Sequence, residues 1–115
     1  MSSVTKNVGS QVVFENDKVK VWDFVLQPGE ETPMHRHEHS YIWYAIAGGS
    51  LQAEDPEGND LGVFEVPTGA VFNIKCDGDR LEVVSGNGPS VLFPAVHKAK
   101  NISATPYREI LIEFK

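Results

Sequence analysis

Apolar residues along this chain fall in short runs separated by turn-forming residues. VKVWDFVL, Val19 to Leu26, alternates in part and is rich in β-branched and aromatic side chains, which suit a pleated strand. Pro28 and Gly29 then punctuate it as a turn. YIWYAIA, Tyr41 to Ala47, stops at Gly48-Gly49. LQAE follows, and then the turn-rich loop DPEGND, Asp55 to Asp60. LGVFEV stops at Pro67, AVFNIKC at Asp77-Gly78, and LEVV at SGNGPS, Ser85 to Ser90. SVLF precedes Pro94, and EILIEF, Glu109 to Phe114, closes the chain. No convincing helix interrupts this series. The amphipathic candidate HKAKNISA, His97 to Ala104, is too short and carries no apolar stripe. Short strands with a turn signal every several residues predict an all-β fold, one double-sheet barrel with no internal repeat.

Composition narrows the setting. A chain of 115 residues predicts one domain, and 41% apolar residues can fill one core. The formal charge of -6 excludes a basic nucleic-acid footprint and argues against an anionic membrane surface as partner. No apolar run is long enough to span a bilayer, and the opening MSSVTKNVGSQ lacks the apolar core of a signal peptide. Residues 1–10 are expected to be flexible or swapped. Cys76 is the one cysteine, so no internal disulfide forms; a small buried hydrophobe is expected there. The expectation is a soluble cytoplasmic protein.

The candidate chemistry lies in MHRHEHSY, Met34 to Tyr41, which holds three of the four histidines. Side chains two apart on a strand share a face, so His35 and His37 point the same way. Two imidazoles on one rigid face form a two-point metal clamp of a kind that suits zinc, copper, iron or nickel. His39 and Tyr41 join that face only if the strand stays regular so far. A useful site needs a third ligand, and His97 is the remaining histidine. On local sequence alone, beside Lys98 and Lys100, His97 reads as an exposed loop residue.

Taken together, these features resemble the cupin superfamily of small double-stranded β-helix (jelly-roll) barrels. The first cupin motif is matched by GEETPMHRHEHSYIWYAIAG, with Gly29 as its first glycine, His35 and His37 as its histidine pair and Gly48 as its last glycine. Its glutamate position falls on Tyr41, a departure. The second motif keeps its histidine and asparagine as His97 and Asn101 in HKAKN. Pro94 and Leu92 stand where a glycine and a proline are usual, and Gly86 can take the opening glycine. A competing placement on GVFEVPTGAVFN, with Pro67 and Gly69 as its turn, would put Phe72 at the histidine position. The placement on His97 also accounts for Asn101 and the closing strands, and leaves Gly69 to Val91 as an insertion or extra hairpin. The resemblance runs from about Val13 to the end. Some small cupins linked to β-alanine degradation share the HRHEH-type stretch followed by tyrosine.

The resemblance implies residues 1–115 as a single cupin domain and one divalent metal ion per chain on His35, His37 and His97. Fe2+ is favoured, with Zn2+, Ni2+ or Mn2+ as other choices. Tyr41 is then either a catalytic phenol that hydrogen-bonds a metal-bound ligand or ligates the metal, or a barrel-wall aromatic. Trp43 and Phe72 either line a substrate pocket or pack the core. His39 is expected to face solvent. The implied functions are an Fe2+ oxygenase acting on a small chelating or anionic substrate, a redox-neutral lyase, isomerase or cyclase, or a non-catalytic binding or sensor protein. A homodimer is the expected assembly.

Overall fold

The computed structural model describes residues 4–84 and 90–115. Among these residues the chain forms eleven strands: β1 (Gln11–Glu15), β2 (Val19–Leu26), β3 (His35–Arg36), β4 (Tyr41–Ala47), β5 (Gly49–Glu54), β6 (Asp60–Val66), β7 (Val71–Asp77), β8 (Arg80–Val84), β9 (Val91–Pro94), β10 (Val96–Asn101) and β11 (Tyr107–Phe114). They build a seven-stranded sheet in the order β1-β2-β11-β4-β7-β8-β9 and a four-stranded sheet in the order β3-β10-β5-β6. Every strand pair is antiparallel, and no helix is present among the described residues. Among the described residues no helix is therefore long and apolar enough to cross a membrane. The architecture is the all-β double-stranded β-helix.

The predicted strands form because each alternation buries one face. On β2, Trp22, Phe24 and Leu26 point inward, while Val21, Asp23 and Val25 do not. Full burial of each such side chain contributes about 1.5–3 kcal/mol. Two strands form where no strand signal was read. β1 is exposed along its whole length and exists as an edge paired to β2. β10 is polar, yet it lies between β3 and β5 and turns His97 and Asn101 inward. Its Lys98 faces outward to Glu31 and Glu54.

Glycines permit the crossings between the sheets. A β-carbon on Gly48 would collide with the Val66 carbonyl, so the β4–β5 crossing requires glycine there. Pro67 to Gly69 makes the β6–β7 turn, with Gly69 at φ +89° and the Ala70 N–H donating to the Pro67 carbonyl at 3.1 Å. The segment expected as an insertion contains the β7–β8 hairpin, and it is integral, because β7 pairs with both β4 and β8. Most of the predicted turn at Ser85 to Ser90, including Gly86, lies outside the described residues. From residue 4 onward, the segment expected to be flexible or swapped packs on its own barrel. Thr5 exchanges backbone hydrogen bonds with Met34 and Arg36, and Val8 is 2% exposed.

Core side chains form two groups, one around Trp22, Tyr41, Ile74 and Leu111, the other around Phe24, Leu51, Val66 and Tyr107. Trp43 and Phe72 pack against both. A half-open cavity of about 250 Å³ lies between the sheets.

Candidate metal centre

β3 and β10 position the three candidate ligands. His35 and His97 are direct partners in the antiparallel register. His37 lies just past the end of β3, but its N–H donates to the Ala95 carbonyl at 2.9 Å, which holds it inward. All three side chains are buried, and all three line the cavity. Their ring centroids are 4.7 Å apart for His35 and His97, and 5.0 Å for each of the other two pairs. One ring nitrogen from each lies within 4.8 Å of the other two, so the three could hold a single ion.

Local sequence orients two of the rings. His35 Nδ1 lies 3.0 Å from the Pro33 carbonyl, and His97 Nδ1 lies 2.8 Å from the Pro94 carbonyl. A carbonyl only accepts, so Nδ1 carries the proton in each ring and Nε2 carries the lone pair. Such an outer hydrogen bond is the usual support of a metal-ligating histidine. His37 Nδ1 is buried without a hydrogen-bond partner. Native interiors rarely leave a buried polar atom orphaned, and one beside two lone-pair-bearing imidazoles fits a bound cation.

Electrostatics keeps the donors neutral. Burial pushes His37 well below its ordinary value, and the neighbouring His97 and His35 push it further. Burial lowers His97 to about 4, with His35 adding to the effect and the Pro94 hydrogen bond opposing it. Burial also lowers His35, against the Pro33 hydrogen bond. Neutral imidazoles are the form that binds transition metals. The donor set therefore fits a divalent first-row ion.

The other predicted residues separate. His39 is exposed and outside the cluster. Tyr41 stacks on His37, with ring centroids 4.5 Å apart and planes 12° from parallel. It lines the cavity, and its hydroxyl makes no hydrogen bond among the described residues. Burial, then the charges of Glu109, Cys76 and Glu113, hold the phenol well above its usual pKa, so it is a proton donor. Trp43 and Phe72 stack face to face at 4.3 Å and line the cavity. Cys76 packs against the core as expected but is only half-buried, and its thiol donates to the His37 carbonyl at 3.4 Å.

Sequence reasoning missed two inward carboxyls on β11. Glu109 and Glu113 are 5% and 6% exposed. The signal was their spacing, since residues 109, 111 and 113 share one face of a strand. Glu113 accepts a hydrogen bond from the Trp22 indole at 2.6 Å. Glu109 accepts one from the Tyr107 hydroxyl at 2.6 Å and lines the cavity.

No family model matches the chain. Among curated proteins it resembles the Beta-alanine degradation protein BauB of Pseudomonas aeruginosa, at 40% identity over 48 residues. That match spans 42% of this chain and half the length of the relative. Among solved structures it superposes on a cupin domain from Bordetella pertussis Tohama I with a TM-score of 0.66 and 26% identity, covering 91% of this chain and 90% of the other. The chain has the cupin fold. More distant solved cupins share the fold alone. An RmlC-like protein from Methanocaldococcus jannaschii has a TM-score of 0.55 at 13% identity, covering 96% and 82% of the two chains. A Cupin 2 conserved barrel domain protein from Salinispora arenicola has a TM-score of 0.55 at 15% identity, covering 91% and 73%.

Within this cupin fold the second-motif asparagine is a structural clamp. Asn101 is fully buried, donates to the Leu26 and Thr105 carbonyls at 3.0 and 2.9 Å, and accepts from the Ser103 N–H at 2.9 Å. The cupin barrel thus brings His97 to the histidine pair, while Phe72, the alternative motif position, contributes only an aromatic wall.

Proposed function

We propose that this cupin binds one divalent metal ion through His35, His37 and His97 and acts as an Fe2+-dependent oxygenase on a small organic molecule held in the barrel. The observation that carries this reading is the convergence of three buried, neutral imidazoles on the wall of an aromatic-lined cavity. No fourth histidine, cysteine or carboxylate joins them among the described residues. Three protein ligands leave coordination positions for substrate and oxygen. Bound there, a ferrous ion would supply oxygen activation and a point of chelation.

The chain's own residues supply the rest. Tyr41, stacked on His37, holds a phenol proton ready for an acceptor atom in the cavity. The Trp43–Phe72 stack offers a flat apolar wall. Such a wall excludes water and strengthens the polar contacts that remain. The site favours a ring-sized chelating molecule over a highly charged one.

The test is oxygen uptake by iron-loaded protein across a panel of small chelating aromatics and keto acids. Oxygen consumption coupled to substrate loss supports the oxygenase. Turnover that continues unchanged without oxygen assigns a redox-neutral lyase, isomerase or cyclase instead. Binding without turnover assigns a sensor or carrier. Failure to take up iron, zinc, nickel or manganese overturns the metal site itself.

A further inference from the structure

Glu109 is the polar group of the cavity that the metal reading does not use. It lies on β11 between two apolar neighbours in register, Phe24 on β2 and Ala45 on β4. The carboxyl is 5% exposed, and among the described residues no lysine or arginine pairs with it. Its Oε1 accepts the Tyr107 hydroxyl at 2.6 Å. Its Oε2 has no hydrogen-bond partner among the described residues. The only sealed-off side-chain polar atom without a partner there is His37 Nδ1. Glu109 lines the cavity, so Oε2 is the oxygen available to a molecule bound in it.

Burying a carboxyl in an apolar wall without a cation costs several kcal/mol, and a leucine would fill the same place at no such cost. Glu113 shows the contrast on the same strand: it is held by Trp22 and does not line the cavity. Burial also holds Glu109 near neutrality, at a pKa of about 7, so it can both accept and release a proton.

Position along the barrel adds a direction. Tyr41, stacked on His37, is opposite Glu113 in the register, whereas Glu109 is opposite Ala45. Four residues of strand separate the two levels, about 13 Å of backbone. Glu109 thus sits toward the end of the interior away from the histidines.

We propose that Glu109 is a specificity-determining, ligand-contacting residue: Oε2 accepts a hydrogen bond from an amine or hydroxyl on the part of the bound molecule remote from the histidines. The ligand class is a single apolar ring or its equivalent carrying such a donor. A cavity of about 250 Å³ admits a body of that size. This rests on the proposed function only in taking the cavity as the ligand's place, and it does not require the metal.

The experiment titrates full-length protein, without added metal, by fluorine NMR with 4-fluorotoluene, 4-fluorobenzyl alcohol and 4-fluorobenzylamine. The two donor-bearing probes should bind about tenfold more tightly than 4-fluorotoluene. Glu109→Leu should erase that preference and leave 4-fluorotoluene binding within about threefold of wild type. Glu109→Gln, which keeps an acceptor for Tyr107 and guards against a folding failure of the leucine variant, should weaken the amine more than the alcohol. Equal binding of the three probes by wild type, no binding at all, or a preference that survives both substitutions overturns the proposal. Zinc uptake, measured separately on the same proteins, should be unchanged. Its failure in wild type would strike the metal site and leave the probe result standing.

Discussion

His97 faces His35 directly across the β3–β10 register, and their ring centroids lie 4.7 Å apart. This pairing makes a two-histidine clamp into a three-histidine set. His97→Ala should reduce bound metal from about one ion per chain to none, because two imidazoles alone hold a divalent ion weakly. His39→Ala should leave the content unchanged, since His39 is exposed and outside the cluster. Elemental analysis after dialysis against metal measures both, and the opposite pattern would refute the ligand set.

Tyr41 stacks on His37, and its hydroxyl makes no hydrogen bond among the described residues. Tyr41→Phe keeps the stacking and should change stability by less than about 1 kcal/mol. Metal content should also hold, while turnover of any substrate found should fall on the order of a hundredfold if the phenol hands over its proton. Loss of metal in Tyr41→Phe would instead make the phenol a ligand.

Glu109 predicts a pH dependence of stability. Its folded pKa is raised to about 7 by burial, against the opposing Tyr107 hydrogen bond. The titratable groups acting with it are Tyr107 on its own strand and Tyr41 on β4, while its cross-strand neighbours Phe24 and Ala45 are apolar. Between an ordinary carboxyl value and about 7, the folded state holds a proton that the unfolded state has lost. Stability from this group therefore falls as pH rises through that window. Glu109→Gln should gain on wild type by roughly 2 kcal/mol between pH 5 and pH 8 in urea unfolding. Parallel pH profiles would contradict the buried acid.

Asn101 closes three hydrogen bonds at a fully buried position. Asn101→Ala leaves two carbonyls and one N–H without partners and should cost roughly 2–4 kcal/mol. Thermal unfolding would show it. A change below about 0.5 kcal/mol would mean that water replaces the amide.

We propose that the protein is a homodimer. On the outer face of the seven-stranded sheet, Phe14, Val21, Ile112 and Ile42 stand in one cross-strand row. Phe14 is 54% exposed and Tyr44, on the same sheet, 47%. An apolar sheet face beside an exposed edge strand is an association surface. Light scattering should give twice the chain mass of 12.7 kDa, and Phe14→Glu with Tyr44→Glu should halve it. A wild-type mass of one chain would refute the dimer.

Much of the fold is legible in the sequence. β2 occupies the span read from its partial alternation and β4 the span read from its apolar run and the glycines that stop it, because strand identity depends on neighbours along the chain. β1 and β10 were missed because each is a strand only through its partners, and neither carries an apolar stripe. Of the candidate site, the His35–His37 pair was legible, as two residues apart on extended backbone must share a face.

By itself, the sequence determined what is local: which segments extend, where they turn, and that two histidines two residues apart point together. The tertiary structure decided what depends on register between distant segments. It placed His97 opposite His35, where local sequence read an exposed loop residue. It also chose the face of β11. Period two allows either Ile110 and Ile112 or Glu109, Leu111 and Glu113 to face inward, and apolarity alone would favour the isoleucines. Pairing with β2 and β4 turns the carboxyls in and lays the isoleucines on the outer face. A one-residue change of register inverts every side chain on a strand, so only the assembled sheet could put Glu109 in the cavity.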